Sequence, residues 1–94
     1  MFIILLNYKV PISELEKVVP AHRAYLKTEG YAKGLIIAAG PRVPRTGGLI
    51  VFNSDDRSLV EAFVAKDPFI LENVSDAEII EFNPILLDAK LSIV

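Results

Sequence analysis

Apolar residues fall into four short continuous runs, separated by stretches in which they recur every three or four positions. The runs are rich in Ile, Leu, Val and Phe, which favour strands. They predict four strands, at MFIILLNY (1–8), LIIAAG (35–40), GLIVFN (48–53) and DAEIIEFNPI (76–85). The second run does not alternate with polar residues, so we expect that strand to be fully buried. The loop between the second and third runs predicts an antiparallel pair with a long connection.

The stretch after the first strand has the spacing of a helix. Ser13 and Glu16 form the S-x-x-E pattern of a capping box, so we expect the helix to begin at Ser13. Pro20 falls inside the pattern and predicts a kink or break near Val19, because proline removes a helical hydrogen bond. Alternatively, Pro20 is the first residue of a second helical piece. The apolar side of this stretch comprises Leu15, Val18, Val19, His22, Tyr25 and Leu26.

A second helix is predicted at SDDRSLVEAFVAK (54–66), where Ser54, Asp55 or Asp56 can cap the first turn. The sequence DPF (67–69) ends it, because the residue before a proline is disfavoured in helical geometry. The C-terminal tail LLDAKLSIV (86–94) is apolar enough that we expect it to pack against protein. The stripe of the second helix comprises Leu59, Val60, Phe63 and Val64.

The element order βαββαβ predicts one domain over residues 1–94, with an α+β, ferredoxin-like fold. In this fold two antiparallel helices cover one face of an antiparallel four-stranded sheet, and the other face is bare. The chain is 52% hydrophobic with a mean hydropathy of +0.42, which is high for a domain of 94 residues. Small domains cannot bury that much apolar surface alone. We therefore expect a homodimer, with higher assembly left open.

Composition excludes several classes of protein. There is no cysteine, so neither disulfides nor Cys-based zinc sites can form, and a single histidine cannot supply an imidazole cluster. The net charge of −2 and pI near 5.3 argue against nucleic acid as a partner. The N-terminus does not resemble a signal peptide, and no apolar run approaches membrane-spanning length. We expect a cytoplasmic protein that needs no metal or other cofactor.

Two ionisable residues fall on the apolar stripes of the predicted helices. His22 lies four residues after Val18, and Asp67 lies four residues after Phe63. With antiparallel helices the two side chains lie near the same end of the fold, which is the geometry of a general acid–base pair. An acidic residue at the end of a helix also opposes the helix dipole, which favours a functional explanation. The alternatives are a hydrogen-bonded core histidine and an Asp67 that caps a short turn.

The segment AAGPRVPRTGG (38–48) is the other candidate for a binding site. It lacks the Gly-Lys-Ser/Thr of a phosphate-binding loop. Arg42 and Arg45 can pair with a ligand carboxylate, although a solvated hairpin loop explains them slightly better. Gly40 allows a close backbone approach or a positive φ. Tyr8 can offer a hydroxyl to a pocket, or be an ordinary half-buried strand residue.

An ordered set of short motifs resembles the YciI-like (YCII-related) family of the dimeric α+β barrel superfamily. The motifs are AHRAYL (21–26), GLIIAAGP (34–41), PRTGGLIVF (44–52), KDPF (66–69) and EIIEF (78–82). The resemblance implies a ferredoxin-like subunit whose dimer joins two sheets, with His22 and Asp67 as a His–Asp pair. It places Gly40, Pro41 and Phe69 on pocket-lining positions. Arg23 stands where relatives carry an apolar residue, and the tail is more apolar than theirs.

These observations lead to three hypotheses. The first is a cofactor-independent lyase or isomerase, in which His22 moves a proton on a small organic substrate and Asp67 orients it. Arg42 or Arg45 would hold an anionic substrate group. The second is a non-catalytic dimer that binds or senses a small molecule, and the third is a structural accessory domain without a pocket.

Overall fold

The computed structural model describes residues 1–91. Four strands form one antiparallel sheet in the order β2-β3-β1-β4, with β1 paired to both β3 and β4. This strand order and the βαββαβ sequence of elements make the fold ferredoxin-like, as predicted. The strands are β1 (Phe2–Tyr8), β2 (Ile36–Pro41), β3 (Gly47–Phe52) and β4 (Ser75–Glu81).

Each half of the chain contributes a broken helical segment. After β1 come α1 (Ile12–Leu15) and α2 (Val19–Tyr25), and α2 runs on into a π-helical turn (Leu26–Gly30) and a 3-10 turn (Tyr31–Lys33). Gly34 ends this segment with a φ of 75°, a conformation that glycine adopts without strain. After β3 come α3 (Arg57–Ala65) and α4 (Pro68–Leu71).

The start of the first helix differs from the prediction. Helix α1 begins at Ile12, directly after Pro11, and no side chain caps it. Pro11 is extended, with φ −59° and ψ 153°, so the chain turns into the helix at the next residue and Ser13 falls inside it. The predicted capping box is therefore wrong. The predicted break is confirmed, since residues 16–18 separate α1 from α2 and Pro20 lies in the first turn of α2.

Helix α3 is capped by Asp56, one of the three residues predicted as alternatives. The Asp56 side chain accepts hydrogen bonds from the backbone amides of Ser58 and Leu59. Val60 and Phe63 are buried, whereas Leu59 is 39% exposed, so the predicted stripe is only partly buried.

The core lies between the helices and one face of the sheet. Alternate residues of β1 (Phe2, Ile4 and Leu6) are buried, and their partners in β3 include Ile50 and Phe52. The helical segments contribute Leu15, Val19, Val60, Phe63 and Phe69 to the same cluster. The helices therefore cover one face, and the intervening residues of β1 and β3 point to the other face.

Strand β2 is more exposed than predicted. Ile36 is its one buried residue, and residues 38–41 are exposed in the subunit. Strand β2 pairs with β3 alone, because it is an edge strand of the sheet. Its continuous apolar run therefore does not reflect burial on both faces within one subunit.

Strand β4 ends at Glu81, before the predicted end of the fourth strand at Ile85, which is 94% exposed. In the tail, residues 86–90 are exposed on the subunit and Leu91 is partly buried. Residues 92–94 of the predicted tail lie outside the described residues. Over residues 1–91, no helix is both long enough and apolar enough to cross a membrane.

Candidate active site

The sole histidine and the predicted carboxylate meet in the interior. Nδ1 of His22, in α2, lies 2.7 Å from Oδ1 of Asp67, the residue before α4. His22 is 9% exposed and Asp67 is 1% exposed. The contact spans 45 positions in sequence, so it depends on the packing of α2 against α4. The structure therefore brings together the two residues that helical spacing selected.

Asp67 occupies its place for a local reason as well. Its backbone is extended, and its Oδ1 accepts a hydrogen bond of 2.9 Å from the amide of Phe69. Asp67 is thus the N-cap of α4, and Pro68 occupies the first turn. The predicted conflict with a helix dipole is wrong, because α3 ends at Ala65 and a carboxylate at an N-cap is favourable.

The same carboxylate oxygen serves both partners, which assigns the histidine tautomer. Oδ1 of Asp67 accepts from Phe69, so it acts as an acceptor toward His22 and Nδ1 carries the proton. Within residues 1–91, Nε2 of His22 has no hydrogen-bond partner. In the neutral form of the ring, this tautomer puts a lone pair on Nε2.

Aromatic contacts hold the imidazole from a second direction. The rings of His22 and Phe69 stack with centroids 3.7 Å apart and planes 2° from parallel. Tyr8 meets Phe69 edge-on, at a centroid distance of 6.0 Å and an angle of 87°. A hydrogen bond and a stacked ring together restrict the rotation of the histidine about its side-chain bonds.

The histidine opens onto a cavity of about 540 Å³. The cavity lies between the helix-covered face of the sheet and the segment formed by α2 and the π-helical turn. Pockets for small organic molecules typically measure roughly 300–1,000 Å³. Six of the predicted site residues line it, namely Tyr8, His22, Gly40, Pro41, Arg45 and Phe69. Asp67 lies behind the imidazole and does not line the cavity.

Two residues of the segment 38–48, Arg42 and Gly40, do not have the surroundings expected from the sequence. Arg42 does not line the cavity, and its guanidinium donates a hydrogen bond of 2.9 Å to Oδ1 of Asn7. That contact ties the loop to β1, so the structure does not bring Arg42 together with the other predicted residues. Gly40 has no positive φ, and a Cβ there would meet nothing within 4 Å.

Arg45 enters the cavity as a fixed cation. Its Nη1 donates to Oε1 of Glu16 at 2.5 Å. That hydrogen bond raises the pKa of Arg45 above its ordinary value. Its Nε is buried and has no hydrogen-bond acceptor among residues 1–91.

Tyr25 lies close to the pair without lining the cavity. Its hydroxyl donates to the carbonyl oxygen of Phe63 at 2.7 Å, and the two rings stack. Burial, and then the negative charge of Asp67, raise the pKa of Tyr25. Among residues 1–91, no three His, Cys, Asp or Glu side chains are grouped so that they could hold a metal ion.

The sequence did not identify two of the polar residues that line the cavity, and it left the role of a third open. Lys27 and Tyr31 line the cavity with Arg23, whose place in the sequence gave no clear role. Together with Val19 these residues recur at intervals of four, along α2 and the turns that follow it. This four-residue interval could have identified the lining residues from the sequence. It does not appear in the apolar pattern, because three of the four residues are polar or exposed.

The fold and the site together define a ferredoxin-like subunit with a buried His–Asp pair at the wall of a cavity. The sequence profile of the YCII-related domain matches residues 1–83, and the chain belongs to this family. No curated protein sequence is significantly similar to the chain.

A similar solved structure is that of 5-chloro-2-hydroxyhydroquinone dehydrochlorinase (TftG) from Burkholderia phenoliruptrix AC1100, in complex with 2,5-dihydroxybenzoquinone. It superposes with a TM-score of 0.70 at 20% sequence identity, covering 88% of this chain and 94% of that one. At this identity the likeness establishes the shared fold.

Proposed function

We propose that the protein is a cofactor-independent enzyme of the lyase or isomerase class, acting on a small organic substrate in the cavity. His22 is the general base and acid, and Asp67 orients it. The observation that carries the proposal is the buried hydrogen bond of 2.7 Å between His22 and Asp67 at the cavity wall. A buried histidine that only stabilised the core would not need a free Nε2 beside a cavity.

The chemistry follows from the tautomer. Nε2 of His22 takes a proton from a carbon or oxygen of the substrate, which makes the imidazole a cation. The negative charge of Asp67 at Nδ1 stabilises that cation. The proton then returns to another substrate atom in an isomerisation, or leaves with a departing group in an elimination. General acid–base catalysis of this kind accelerates reactions by about 10²–10⁴-fold.

The remaining lining residues would bind and orient the substrate. Tyr8 and Phe69 offer aromatic surface, and Gly40 and Pro41 form the wall contributed by β2. The guanidinium of Arg45, which lines the cavity, is a hydrogen-bond donor for a carbonyl or an anionic group. The neighbour TftG is a dehydrochlorinase, an activity in which loss of a proton accompanies loss of chloride, and this supports an elimination or isomerisation here.

The test is deuterium exchange in D2O, followed by proton NMR. The compounds are hydroxylated quinones and unsaturated lactones, including 2,5-dihydroxybenzoquinone, and chloride release from 5-chloro-2-hydroxyhydroquinone is measured in parallel. We expect the wild type to exchange a carbon-bound proton of at least one compound. His22→Gln should slow exchange by about 100-fold or more. Exchange or chloride release that is unchanged in His22→Gln would overturn the proposal.

The same measurements separate catalysis from simple binding. A thermal-shift titration reports ligand binding without turnover, because a ligand that binds only the folded state raises Tm. Stabilisation by a compound that is never exchanged or dechlorinated would support the alternative of a small-molecule sensor.

We also propose that the protein works as a homodimer that covers the face of the sheet opposite the helices. Ile3, Leu5, Leu49 and Val51 stand on that face and are only half-buried in the subunit. Sedimentation equilibrium should give twice the mass of the 94-residue chain. Val51→Lys should shift the protein toward monomer, whereas Ile85→Lys, at an exposed position after β4, should not. A monomeric wild type would contradict the proposal.

A further inference from the structure

The cavity has a charge opposite to that of the protein. The chain carries 12 acidic and 10 basic residues, yet no acidic side chain of residues 1–91 lines the cavity. Three basic side chains do so, namely Arg23, Lys27 and Arg45. A wall of low dielectric lined with one sign of charge concentrates small ions of the opposite sign.

Arg23 and Lys27 differ from most of the other basic residues in having no charged partner in the described part of the chain. Elsewhere Lys9 pairs with Asp76, and Lys33 pairs with Glu29. Neither Arg23 nor Lys27 makes an ion pair or a hydrogen bond to a side chain within residues 1–91. Two unpaired like charges repel each other weakly, and an anion between them would relieve that repulsion.

The helical geometry places both side chains at the same wall. Arg23 lies in the last turn of α2, and Lys27 lies four residues later in the π-helical turn. Residues four apart are neighbours on a helix surface. The π-helical turn is itself a rare feature that is often found at functional sites. Both side chains are exposed, so their long flexible stems can reach a molecule at the cavity mouth.

We infer that Arg23 and Lys27 bind an anionic group of the substrate, and that the substrate class is small organic acids. The carboxylate lies at the mouth, and the unsaturated or aromatic part extends inward to His22 and Phe69. Arg45 comes from a different element and is already paired with Glu16, so it contributes a donor rather than the principal countercharge. This inference rests on the proposed function, because it assumes that the cavity at His22 is the substrate site.

The experiment compares acids with their carboxamides, which keep the shape and remove the charge. Benzoate, salicylate and 4-hydroxybenzoate are each titrated against the matching amide by ligand-observed NMR at low salt. We expect at least one acid to bind the wild type about tenfold more tightly than its amide. Added salt should weaken the binding of that acid and leave the binding of its amide unaffected.

Variants assign the preference to the two cations. Arg23→Gln/Lys27→Gln should lose the preference for the acid while binding the amide as before. The matched control is Lys17→Gln/Lys33→Gln, which removes the same charge from side chains that do not line the cavity. The control should keep the full preference.

The outcomes are separable from those of the exchange assay. Failure of every acid to bind, equal binding of acid and amide, or a preference that survives in Arg23→Gln/Lys27→Gln would overturn this inference. None of these results depends on turnover, so the proposed catalysis by His22 would still be decided by exchange. Conversely, His22→Gln should slow exchange by about 100-fold or more and retain the preference for the acid.

Discussion

The oxygen shared by His22 and Phe69 makes a quantitative prediction about Asp67. In Asp67→Ala, α4 loses its N-cap hydrogen bond, which is worth about 1 kcal/mol. The Nδ1 proton of His22 also loses its buried acceptor, which costs about 1–3 kcal/mol. We therefore expect the free energy of unfolding to fall by about 3 kcal/mol in total. For a domain of this size Tm should fall by about 12–24 °C.

Asp67→Asn is the matched control, because asparagine caps helices about as well as aspartate. The Phe69 amide would hold the oxygen of the substituted side chain toward itself, and that oxygen is also the acceptor for His22. The variant keeps both hydrogen bonds and loses only the charge. We expect its stability to fall by no more than about 1 kcal/mol, since charge-assisted hydrogen bonds are the stronger ones.

Urea denaturation at fixed protein concentration and neutral pH measures both variants, since oligomerisation would otherwise shift the midpoint. In a His22→Leu background, Asp67→Ala should lower the free energy of unfolding only by the loss of the N-cap, about 1 kcal/mol. The reasoning is refuted if Asp67→Asn is as destabilised as Asp67→Ala. It is also refuted if the cost of Asp67→Ala is the same with and without His22.

Three further predictions concern other parts of the fold. Because burial and the charge of Asp67 raise the pKa of Tyr25, the stabilising effect of its neutral hydroxyl is complete below about pH 10 and is lost as pH rises through the raised pKa. Alkaline denaturation should therefore be less steep in Tyr25→Phe than in the wild type. The hydrogen bonds from the Ser58 hydroxyl and from the amides of the first turn of α3 lower the pKa of Asp56. The stabilising effect of the Asp56 carboxylate is therefore present above about pH 4 and lost as pH falls through the lowered pKa. In Asp56→Asn, acid unfolding followed by circular dichroism should lack this part of the pH dependence. Gly47→Ala should fail to fold or lose most of its stability, since a Cβ would clash with the backbone oxygen of Leu6 in β1, whereas Gly40→Ala should melt within a few degrees of the wild type.

The sequence was sufficient to predict the sheet and the contact between His22 and Asp67, because both depend on the periodic burial of side chains. Strand β1 alternates between buried and half-buried positions, and β3 pairs with it in register. His22 and Asp67 each followed an apolar residue by four positions, and each side chain is indeed buried. Periodicity therefore identified which side chains point inward, and the topology brought the two ends together.

Other features depend on information that periodicity does not carry. The start of α1 is determined by the backbone geometry of Pro11, which overrides the capping pattern at Ser13. The apolar character of β2 predicted burial, but β2 is an edge strand whose residues 38–41 are exposed in the subunit. Arg42 was an equal candidate with Arg45 in sequence, but the structure ties Arg42 to Asn7 and places Arg45 at the cavity.

The two explanations of Asp67 that the sequence left open, a helix N-cap and a partner for His22, turn out to be compatible. One oxygen accepts from both the Phe69 amide and Nδ1 of His22. The local Asp-Pro geometry fixes that oxygen independently of the histidine, and Phe69 in the same turn supplies the ring that stacks on the imidazole. Three consecutive residues, 67–69, therefore define both the hydrogen bond and the plane of the His22 ring. The remaining nitrogen is left without freedom to rotate away from the cavity, which is the preorganisation that a general base requires.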